Sequence, residues 1–268
     1  MRLRIAVVLA LGLALLVGAA PAGAIIDGQR DGNAHPYVGY IRNLQFSCTA
    51  SAISPRLLVT AAHCFDESGT DTVWFTANEN YRTPQPWTAP NGGPGWYQGT
   101  WHAHPQFCIA CEGGLPGFDT HDVAIVVLDQ ALNLPRYAKL PAVGLVDGLP
   151  DKSGVTSVGY GVQDFTRGGG PPAGFRDGYR MRSDSWLVSG NFVHADEYLK
   201  LNSAKGGTCF GDSGGPNLLG GTDTILGVNS YVTNGGCNGV TYSNRIDLGY
   251  VRDFFAPYLS NPAYGYSG

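Results

Sequence analysis

Short apolar or alternating runs, separated by Gly, Pro, Asn and Asp, dominate the chain after its first 24 residues. Runs of this length with turn residues between them predict β-strands at the spacing of a barrel or a sandwich. The predicted strands cover 37–42, 47–53, 57–59, 72–76, 123–128, 154–159, 181–188 and 224–228. The pattern therefore favours an all-β fold.

The end of the chain shows a helical period instead. Its apolar residues are spaced at i, i+3, i+4, i+7 and i+8: Val251, Phe254, Phe255, Tyr258 and Leu259. This spacing places them on one face, so we predict a C-terminal helix over 247–260 that packs on the core. Because proline cannot continue the helical hydrogen-bond ladder, we expect Pro257 to distort the last turn.

Two segments, 83–99 and 164–178, lack a strand pattern and are predicted to be irregular insertions. In and just after the first lie three tryptophans, Trp87, Trp96 and Trp101. They either line an extended binding cleft or pack their own loop against the barrel, and packing is the commoner arrangement. The second segment contains a Gly-Gly-Gly-Pro-Pro run and is expected to be a site of proteolytic nicking.

The first 24 residues have the pattern of a secretory signal. Arg2 and Arg4 precede an apolar core at 5–16, and Ala22-Gly23-Ala24 is a small-residue cleavage site. The apolar run ends by Ala20, which is too short for a membrane anchor. We therefore expect a secreted protein, with residues 25–268 as the mature chain.

The composition excludes several classes of partner. Lys and Arg total 17 against 21 Asp and Glu, so the net charge is −4, and the basic residues are scattered. This distribution predicts neither nucleic-acid binding nor a membrane-surface patch. No metal motif is present, and we expect no cofactor, no metal and a monomeric protein.

Six cysteines, an even number in a chain predicted to be exported, indicate disulfides. Cys108 and Cys111 form a CxxC pair, which is also found at redox and zinc sites. No second CxxC and no strand–helix context accompanies it. We therefore predict a local Cys108–Cys111 bridge that pins its loop.

Three separated motifs carry the candidate chemistry. The hexapeptide GDSGGP at 211–216 places Ser213 among glycines, TAAHC at 60–64 ends in a histidine and cysteine, and HDVAIVVL at 121–128 begins a strand with a carboxylate. A hydroxyl beside converging backbone N–H groups suits nucleophilic acyl transfer. His63 supplies a general base and Asp122 an acid that orients it. Asp119 is the competing carboxylate, but the apolar strand does not follow it at the right register.

In these motifs and their order the chain resembles the chymotrypsin/trypsin family of serine peptidases. HPQF at 104–107 and GYG at 159–161 resemble further family signatures. The resemblance covers nearly everything after residue 24. It implies two packed six-stranded antiparallel barrels with a C-terminal helix, forming one peptidase domain over 25–268. The subdomains are expected at roughly 25–135 and 136–245, with the site in the cleft between them.

The resemblance also implies roles for named residues. His63, Asp122 and Ser213 would form the catalytic triad, and the N–H groups of Gly211 and Ser213 the oxyanion hole. Disulfides are expected at Cys48–Cys64 and Cys209–Cys237. In the family a freed N-terminal ammonium pairs with the carboxylate before the catalytic serine; here these would be Ile25 and Asp212. Signal peptidase would then make the activating cut, and activity should fall at strongly alkaline pH as the ammonium loses its proton.

The resemblance also implies a specificity pocket without an acidic floor. Gly207 stands six residues before Ser213, where a trypsin-like enzyme has an aspartate, and Val232 replaces a usual glycine. We therefore expect cleavage of protein or peptide substrates after small or medium apolar residues. The expected substrate-binding residues are Gly207, Thr208, Phe210, Ser230, Tyr231, Val232 and Gly239.

Two other functions are possible for such a chain. A secreted binding protein could keep the fold without catalysis, but degenerate members usually lose a triad residue or the oxyanion glycine, and all are present here. An esterase of the α/β-hydrolase type needs its serine before its histidine, in a Gly-x-Ser-x-Gly elbow. The order of His63 and Ser213 excludes that reading.

Overall fold

A computed structural model describes residues 25–66, 69–83, 93–108, 120–166, 173–188, 197–204 and 206–268. The predicted signal segment, and with it the predicted cleavage site, lies outside these residues, as do Trp87, Cys111 and Asp119. Within the described ranges, no helix is both long and apolar enough to cross a bilayer.

Strands dominate the described chain. In order they are β1 Gln29–Arg30, β2 Val38–Arg42, β3 Ser47–Ala52, β4 Leu57–Thr60, β5 Thr72–Thr76, β6 Tyr97–Ala103, β7 Ala124–Leu128, β8 Gly154–Gly159, β9 Asp164–Thr166, β10 Ala173–Phe175, β11 Met181–Trp186, β12 Tyr198–Ser203, β13 Pro216–Leu219, β14 Ile225–Val232 and β15 Gly239–Arg245. Short 3₁₀ helices span Ala62–Cys64, Val146–Gly148 and Pro262–Tyr264, and the helix α1 spans Gly249–Leu259.

The N-terminal half forms a closed six-stranded antiparallel barrel in the order β2-β3-β4-β7-β6-β5. Its interior is filled by apolar side chains, including the fully buried Ile41, Val59, Phe75 and Ile125. Strand β4 is buried along its whole length, so side chains on both of its faces pack against other residues rather than meeting solvent. The barrel therefore follows directly from the apolar runs of the sequence.

The C-terminal half is a seven-stranded antiparallel sheet in the order β1-β11-β8-β13-β14-β15-β12. It differs from the expected second six-stranded barrel in two respects. Strand β1 adds to one edge by pairing with β11, and the sheet is brought round on itself by a single bridge between Leu187 and Leu201 rather than by a full ladder. With this difference, the all-β architecture expected from the sequence is confirmed.

One apolar core runs through both halves. Val158, Leu218 and Val228 of the C-terminal sheet belong to the same buried cluster as the barrel interior. Helix α1 closes the end of this cluster with Val251 and Phe255, both fully buried. The predicted terminal helix and its packing on the core are confirmed, and the helix continues past Pro257.

Both segments expected to be irregular contain strands. Strand β6 begins at Tyr97 because it pairs with β5, and Gly99 fits there since a Cβ would lie 2.6 Å from the Val127 carbonyl oxygen. In the second segment, β9 and β10 pair as a short hairpin. Trp96 is buried beside Tyr40, in contact with the barrel rather than with a cleft.

Disulfides brace both halves. Cys48 of β3 is bonded to Cys64, with a Cα–Cα distance of 6.1 Å, and Cys209 is bonded to Cys237 at 5.2 Å. These are the two pairings that the family resemblance implies. Cys108 is also disulfide-bonded, whereas its predicted partner Cys111 lies outside the described residues.

Candidate active site

His63 lies in a 3₁₀ turn directly after β4. The strand before it is entirely buried, and the Cys48–Cys64 disulfide ties the turn to β3. The backbone N–H of His63 donates to Asp122 Oδ1 at 2.9 Å. Strand, disulfide and hydrogen bond together fix the direction in which the imidazole leaves the chain.

Asp122 precedes β7 and is held by groups from both halves. Its Oδ2 lies 2.7 Å from Nδ1 of His63 and accepts a 2.6 Å hydrogen bond from the Ser230 hydroxyl. Its own backbone N–H donates to Oδ1 of Asn244 at 2.9 Å. The preceding residue, His121, has φ +48°, a backbone conformation that non-glycine residues rarely adopt. The Asp122 side chain and backbone are thus fixed by hydrogen bonds to residues of both halves of the molecule.

Burial and mutual attraction shift both pKa values of this pair. Burial opposes charge on the His63 imidazole, but the charge and hydrogen bond of Asp122 outweigh it and raise the histidine pKa above 6.5. Burial likewise opposes the Asp122 carboxylate, yet His63 and the Ser230 hydroxyl lower the carboxyl pKa below its usual value. The side chain of Asp122 is 2% exposed and that of His63 is 22% exposed. The carboxylate is therefore charged, and the imidazole is the group that meets solvent.

Ser213 lies in a compact loop before β13. The Ser213 carbonyl accepts from the N–H of Thr49 at 2.9 Å, and the Gly211 carbonyl accepts from the Thr49 hydroxyl at 3.0 Å. Gly214 has φ +73°, and a Cβ there would lie 2.0 Å from Thr60 Oγ1. Only glycine permits so close an approach of the loop to the first barrel.

Two backbone N–H groups of this loop are unused. Among the described residues, neither Gly211 N–H nor Ser213 N–H donates to another protein group. The Phe210 carbonyl accepts from Val162 N–H at 2.9 Å, and because a trans peptide points its C=O and N–H in opposite directions, Gly211 N–H faces away from Val162. Both N–H groups are thus available to an external acceptor.

Asp212 is fully buried beneath the loop. Its Oδ1 accepts from Gly161 N–H at 2.7 Å and its Oδ2 from Cys209 N–H at 2.9 Å. Burial raises its pKa to about 7, although these two N–H groups and the charge of Arg176 lower it. Within the described residues no cation lies within ion-pair distance of this carboxylate.

The segment at the start of the described chain docks beside this loop. Ile26 and Gly207 exchange two backbone hydrogen bonds of 3.0 Å, and Ile25 is fully buried against Met181. Ile25 has φ +60° and Asp27 has φ +56°, so the backbone of this short segment is strained at the buried Ile25 and at the exposed Asp27. Its paired partner Gly207 lies five residues before Asp212 in the same loop.

A cavity of about 320 Å³ opens where the two halves meet. Its lining includes His63 and Ser213 together with five of the expected substrate-binding residues, Thr208, Phe210, Ser230, Tyr231 and Val232. Gly207 and Gly239 are not part of the lining. Among the described residues no hydrogen bond joins Ser213 to His63. The structure therefore brings the two side chains to one cavity without a direct bond between them.

Comparison with known proteins identifies the family to which this site belongs. The family model described as Trypsin matches residues 25–251. The chain belongs to the trypsin family. A cercarial protease from Schistosoma mansoni is 30% identical over 226 residues, covering 80% of this chain and 78% of the relative. Chymotrypsin-like elastase family member 3B from Macaca mulatta is 28% identical over 243 residues, covering 81% and 86%.

Solved structures of low identity share the fold. HL collagenase superposes with a TM-score of 0.65 at 18% identity, covering 89% of this chain and 99% of that one. Human heparin binding protein superposes with a TM-score of 0.64 at 20% identity, covering 91% and 100%. These likenesses support the trypsin-family fold expected from the sequence.

Several residues of this trypsin-family site carried no sequence signal. Thr49 anchors the Ser213 loop, Asn244 holds the backbone of Asp122, and Asn229 donates from its side-chain amide to the Asp212 carbonyl at 3.0 Å. Ser230 was expected only to bind substrate, yet it bonds to Asp122. A threonine, asparagine or serine inside a strand is too common for its position to be inferred without the fold.

The described residues offer one cluster of metal-ligand types, made of Cys48, His63 and Cys64. Its two sulfur atoms are bonded to each other in a disulfide. A disulfide sulfur lacks the thiolate charge that metal binding needs. The cluster is therefore not a metal site.

Proposed function

We propose that the protein is a secreted serine endopeptidase that hydrolyses peptide bonds through a His63–Asp122–Ser213 triad and an acyl-enzyme. The observation that carries the proposal is that Ser213 and His63, which is hydrogen-bonded to Asp122, border one cavity in a part of the structure that also holds two unused backbone N–H groups. Family membership supports it, since the relatives described above are named a cercarial protease and a chymotrypsin-like elastase family member.

In the proposed mechanism, the Ser213 hydroxyl attacks the substrate carbonyl carbon while Nε2 of His63 accepts its proton. Asp122 accepts the hydrogen bond from Nδ1–H, which fixes the tautomer and stabilises the imidazolium. The N–H groups of Gly211 and Ser213 donate to the oxyanion. His63 then protonates the leaving amine, and water repeats the cycle on the acyl-enzyme. Catalytic hydrogen bonds often tighten only when substrate binds, so the missing Ser213–His63 bond is compatible with this role.

Small or medium apolar side chains are the proposed specificity. No acidic residue lines the cavity within the described chain, so nothing there would pair with Lys or Arg. Gly207 is backed by Ser203, whose Oγ would lie 2.4 Å from a Cβ at that position. An apolar pocket distinguishes one methylene by only about 1–3 kcal/mol, so we expect broad selectivity.

Export and N-terminal activation are part of the proposal. Cleavage before Ile25 would free an ammonium in a segment whose next residue, Ile26, already pairs with Gly207. Gly207 lies in the loop of Asp212, whose buried carboxylate has no ion-pair partner among the described residues. A charge pair between Ile25 and Asp212 would be costly to break once buried. Disulfides in the described chain suit an oxidising compartment.

An inactive binding homologue has less support. His63, Asp122, Ser213 and Gly211 are all present, and the pair is hydrogen-bonded. Heparin binding protein is a structural neighbour by fold alone. Heparin is a polyanion, and a net charge of −4 does not favour binding to one.

A serine-reactive phosphonate probe tests the proposed function. The secreted protein should be labelled at Ser213, as located by peptide mass spectrometry, and the Ser213→Ala variant should remain unlabelled. A peptide library digested with the same preparation should show cleavage after small or medium apolar residues. Correctly processed protein that neither reacts with the probe nor cleaves the library would contradict the proposal, and cleavage chiefly after Arg or Lys would refute the specificity.

A further inference from the structure

The peptide group between Phe210 and Gly211 is held by two donors from outside its own loop. The Phe210 carbonyl accepts from Val162 N–H at 2.9 Å and from the Arg176 guanidinium at 2.8 Å. Gly211 has φ +96°, and glycine alone is free to adopt either sign of φ. Without external donors, this peptide group could rotate and turn its N–H away from the cavity.

Arg176 packs directly on Gly211. A Cβ added to Gly211 would lie 2.7 Å from the guanidinium carbon and 2.8 Å from each terminal nitrogen. The arginine follows β10, whose last residue, Phe175, accepts a 2.9 Å bond from Gln163 N–H. The backbone carbonyl of Arg176 accepts from the Arg82 side chain at 2.8 Å. The guanidinium is thus delivered to Gly211 by a backbone that is anchored on both sides.

The guanidinium suits this contact better than an ammonium would. Its planar fork donates in fixed directions, whereas a lysine ammonium is a mobile point charge. The same positive charge acts on Asp212, where it helps to lower a carboxyl pKa that burial has raised. Arg176 therefore touches the loop at the Phe210 carbonyl and acts electrostatically on the carboxylate beneath it.

We infer that Arg176 is a positioning residue that holds the Phe210–Gly211 peptide so that the Gly211 N–H faces the Ser213 cavity before substrate arrives. This inference rests on the proposed function, because the N–H matters for rate only if an oxyanion forms there. No proton passes through Arg176. Its contribution is preorganisation, since a donor already in place costs no rearrangement when the charge develops.

Steady-state kinetics on a neutral peptide amide test the inference. We expect Arg176→Gln to lower kcat about tenfold with KM within a factor of about two, less than the 10²–10³ lost with a whole oxyanion donor, because Val162 still holds the carbonyl. Arg176→Lys should give an intermediate kcat. The matched control is Arg136→Gln, since among the described residues this half-exposed arginine bonds to Asp223 and Ala34 and lies over the Tyr37 ring, all outside the site.

Inhibitor binding separates positioning from general damage. A peptide aldehyde, which forms a tetrahedral adduct with the serine, should lose about the same factor in affinity as kcat, because both need the oxyanion donor. A non-covalent product peptide should bind the variant as well as the wild type. An unchanged kcat, or a raised KM with kcat unchanged, would overturn the inference and make Arg176 a substrate-binding residue or a bystander.

Crystal structures of wild type and Arg176→Gln decide the inference even without activity. A rotated Phe210–Gly211 peptide in the variant supports it, and an unchanged peptide overturns it. Should the wild-type protein hydrolyse nothing, the proposed function fails by itself, while the direction of this peptide still answers the question about Arg176.

Discussion

His63 and Asp122 extend from the first barrel and are held by side-chain and backbone hydrogen bonds, whereas Ser213 extends from the second sheet in a glycine-rich loop. Asp122 has two side-chain partners, at 2.7 and 2.6 Å, and carries a lowered pKa. Asp212, its counterpart beneath the loop, has only backbone N–H groups as hydrogen-bond partners among the described residues, and its pKa is raised to about 7. Two buried carboxylates in one site therefore experience opposite environments.

This difference divides the site into two parts. We call His63 with Asp122 the finished half, and the Ser213 loop with Asp212 the conditional half. The His63–Asp122 pair satisfies its charges within the folded chain. The Ser213 loop encloses a carboxylate whose charge burial opposes, so it needs a cation from elsewhere to be stable in its charged form. If Ile25 supplies that cation, the first half is built by folding and the second by cleavage.

The largest effect is expected in the finished half. Replacing Asp122 with Asn should lower kcat about 10⁴-fold, because the amide favours the wrong imidazole tautomer while keeping the shape. Steady-state kinetics on a peptide amide would measure the loss. Asp129→Asn is the matched control, since Asp129 is exposed just after the same strand. A loss of less than about tenfold would mean that Asp122 does not orient His63.

A smaller effect is expected in the conditional half. There, Asp212→Asn should be harmful in the processed protein but stabilising in the unprocessed chain. In the processed protein, Asp212→Asn should lower kcat/KM about 10²- to 10³-fold, because it breaks a buried ion pair worth roughly 3–5 kcal/mol. In the full 268-residue chain the same change removes an unpaired buried charge. A folded pKa of about 7, above the ordinary carboxyl value of 3.8, destabilises the fold increasingly as pH rises between those values.

Thermal unfolding of the unprocessed chain checks this sign. The Tm of Asp212→Asn relative to wild type should rise from about pH 5 to about pH 8, since only the wild type gains the unfavourable charge. In the processed protein the difference should favour the wild type throughout that range. The same pH trend in both forms would show that Ile25 does not pair with Asp212.

The pH profile of kcat/KM for the processed protein should have an acid limb set by the finished half and an alkaline limb set by the conditional half. On each limb kcat/KM should fall about tenfold per pH unit. Below the raised pKa of His63 the imidazole is protonated and cannot accept the serine proton, so kcat/KM should fall on the acid side with a midpoint above 6.5. An α-ammonium ordinarily titrates near about pH 8, and pairing with Asp212 would raise its pKa, so the conditional half should be lost only at strongly alkaline pH. An acid midpoint below 6.5, or an alkaline limb unaffected by removal of Ile25, would contradict the assignment.

The strands of the fold were predicted from the sequence with unequal success. Strands of apolar or alternating residues, such as β4 and β7, are recognisable because their side chains meet the core. Strand β15 was missed because its buried residues include polar ones. Asn244 accepts from the backbone N–H of Asp122, which only the fold brings near, and the buried Arg245 pairs with Asp247. Strand β6 was missed because its pattern is half exposed.

Short motifs located the triad candidates, whereas the supports around them have no motif. Thr49, Asn244 and Arg176 act through one or two hydrogen bonds of fixed direction each. The Thr49 and Asn244 bonds each join residues more than a hundred positions apart, so they form only when the fold brings those backbones together. That placement is a property of the packed halves rather than of any local pattern.

The smallest expected effect lies at a bond that joins the two halves. The Ser230 hydroxyl, on β14, donates to Asp122 and helps to lower its carboxyl pKa. Without that donor the carboxylate is more basic and attracts the His63 proton more strongly, so Ser230→Ala should raise the acid midpoint of kcat/KM and lower its plateau about three- to tenfold. Ser260→Ala, at an exposed position after α1, is the control. A midpoint that moves down, or does not move, would show that the Ser230 hydroxyl does not tune the charge of Asp122, and that the second sheet holds this residue through Asn244, which accepts from its backbone N–H.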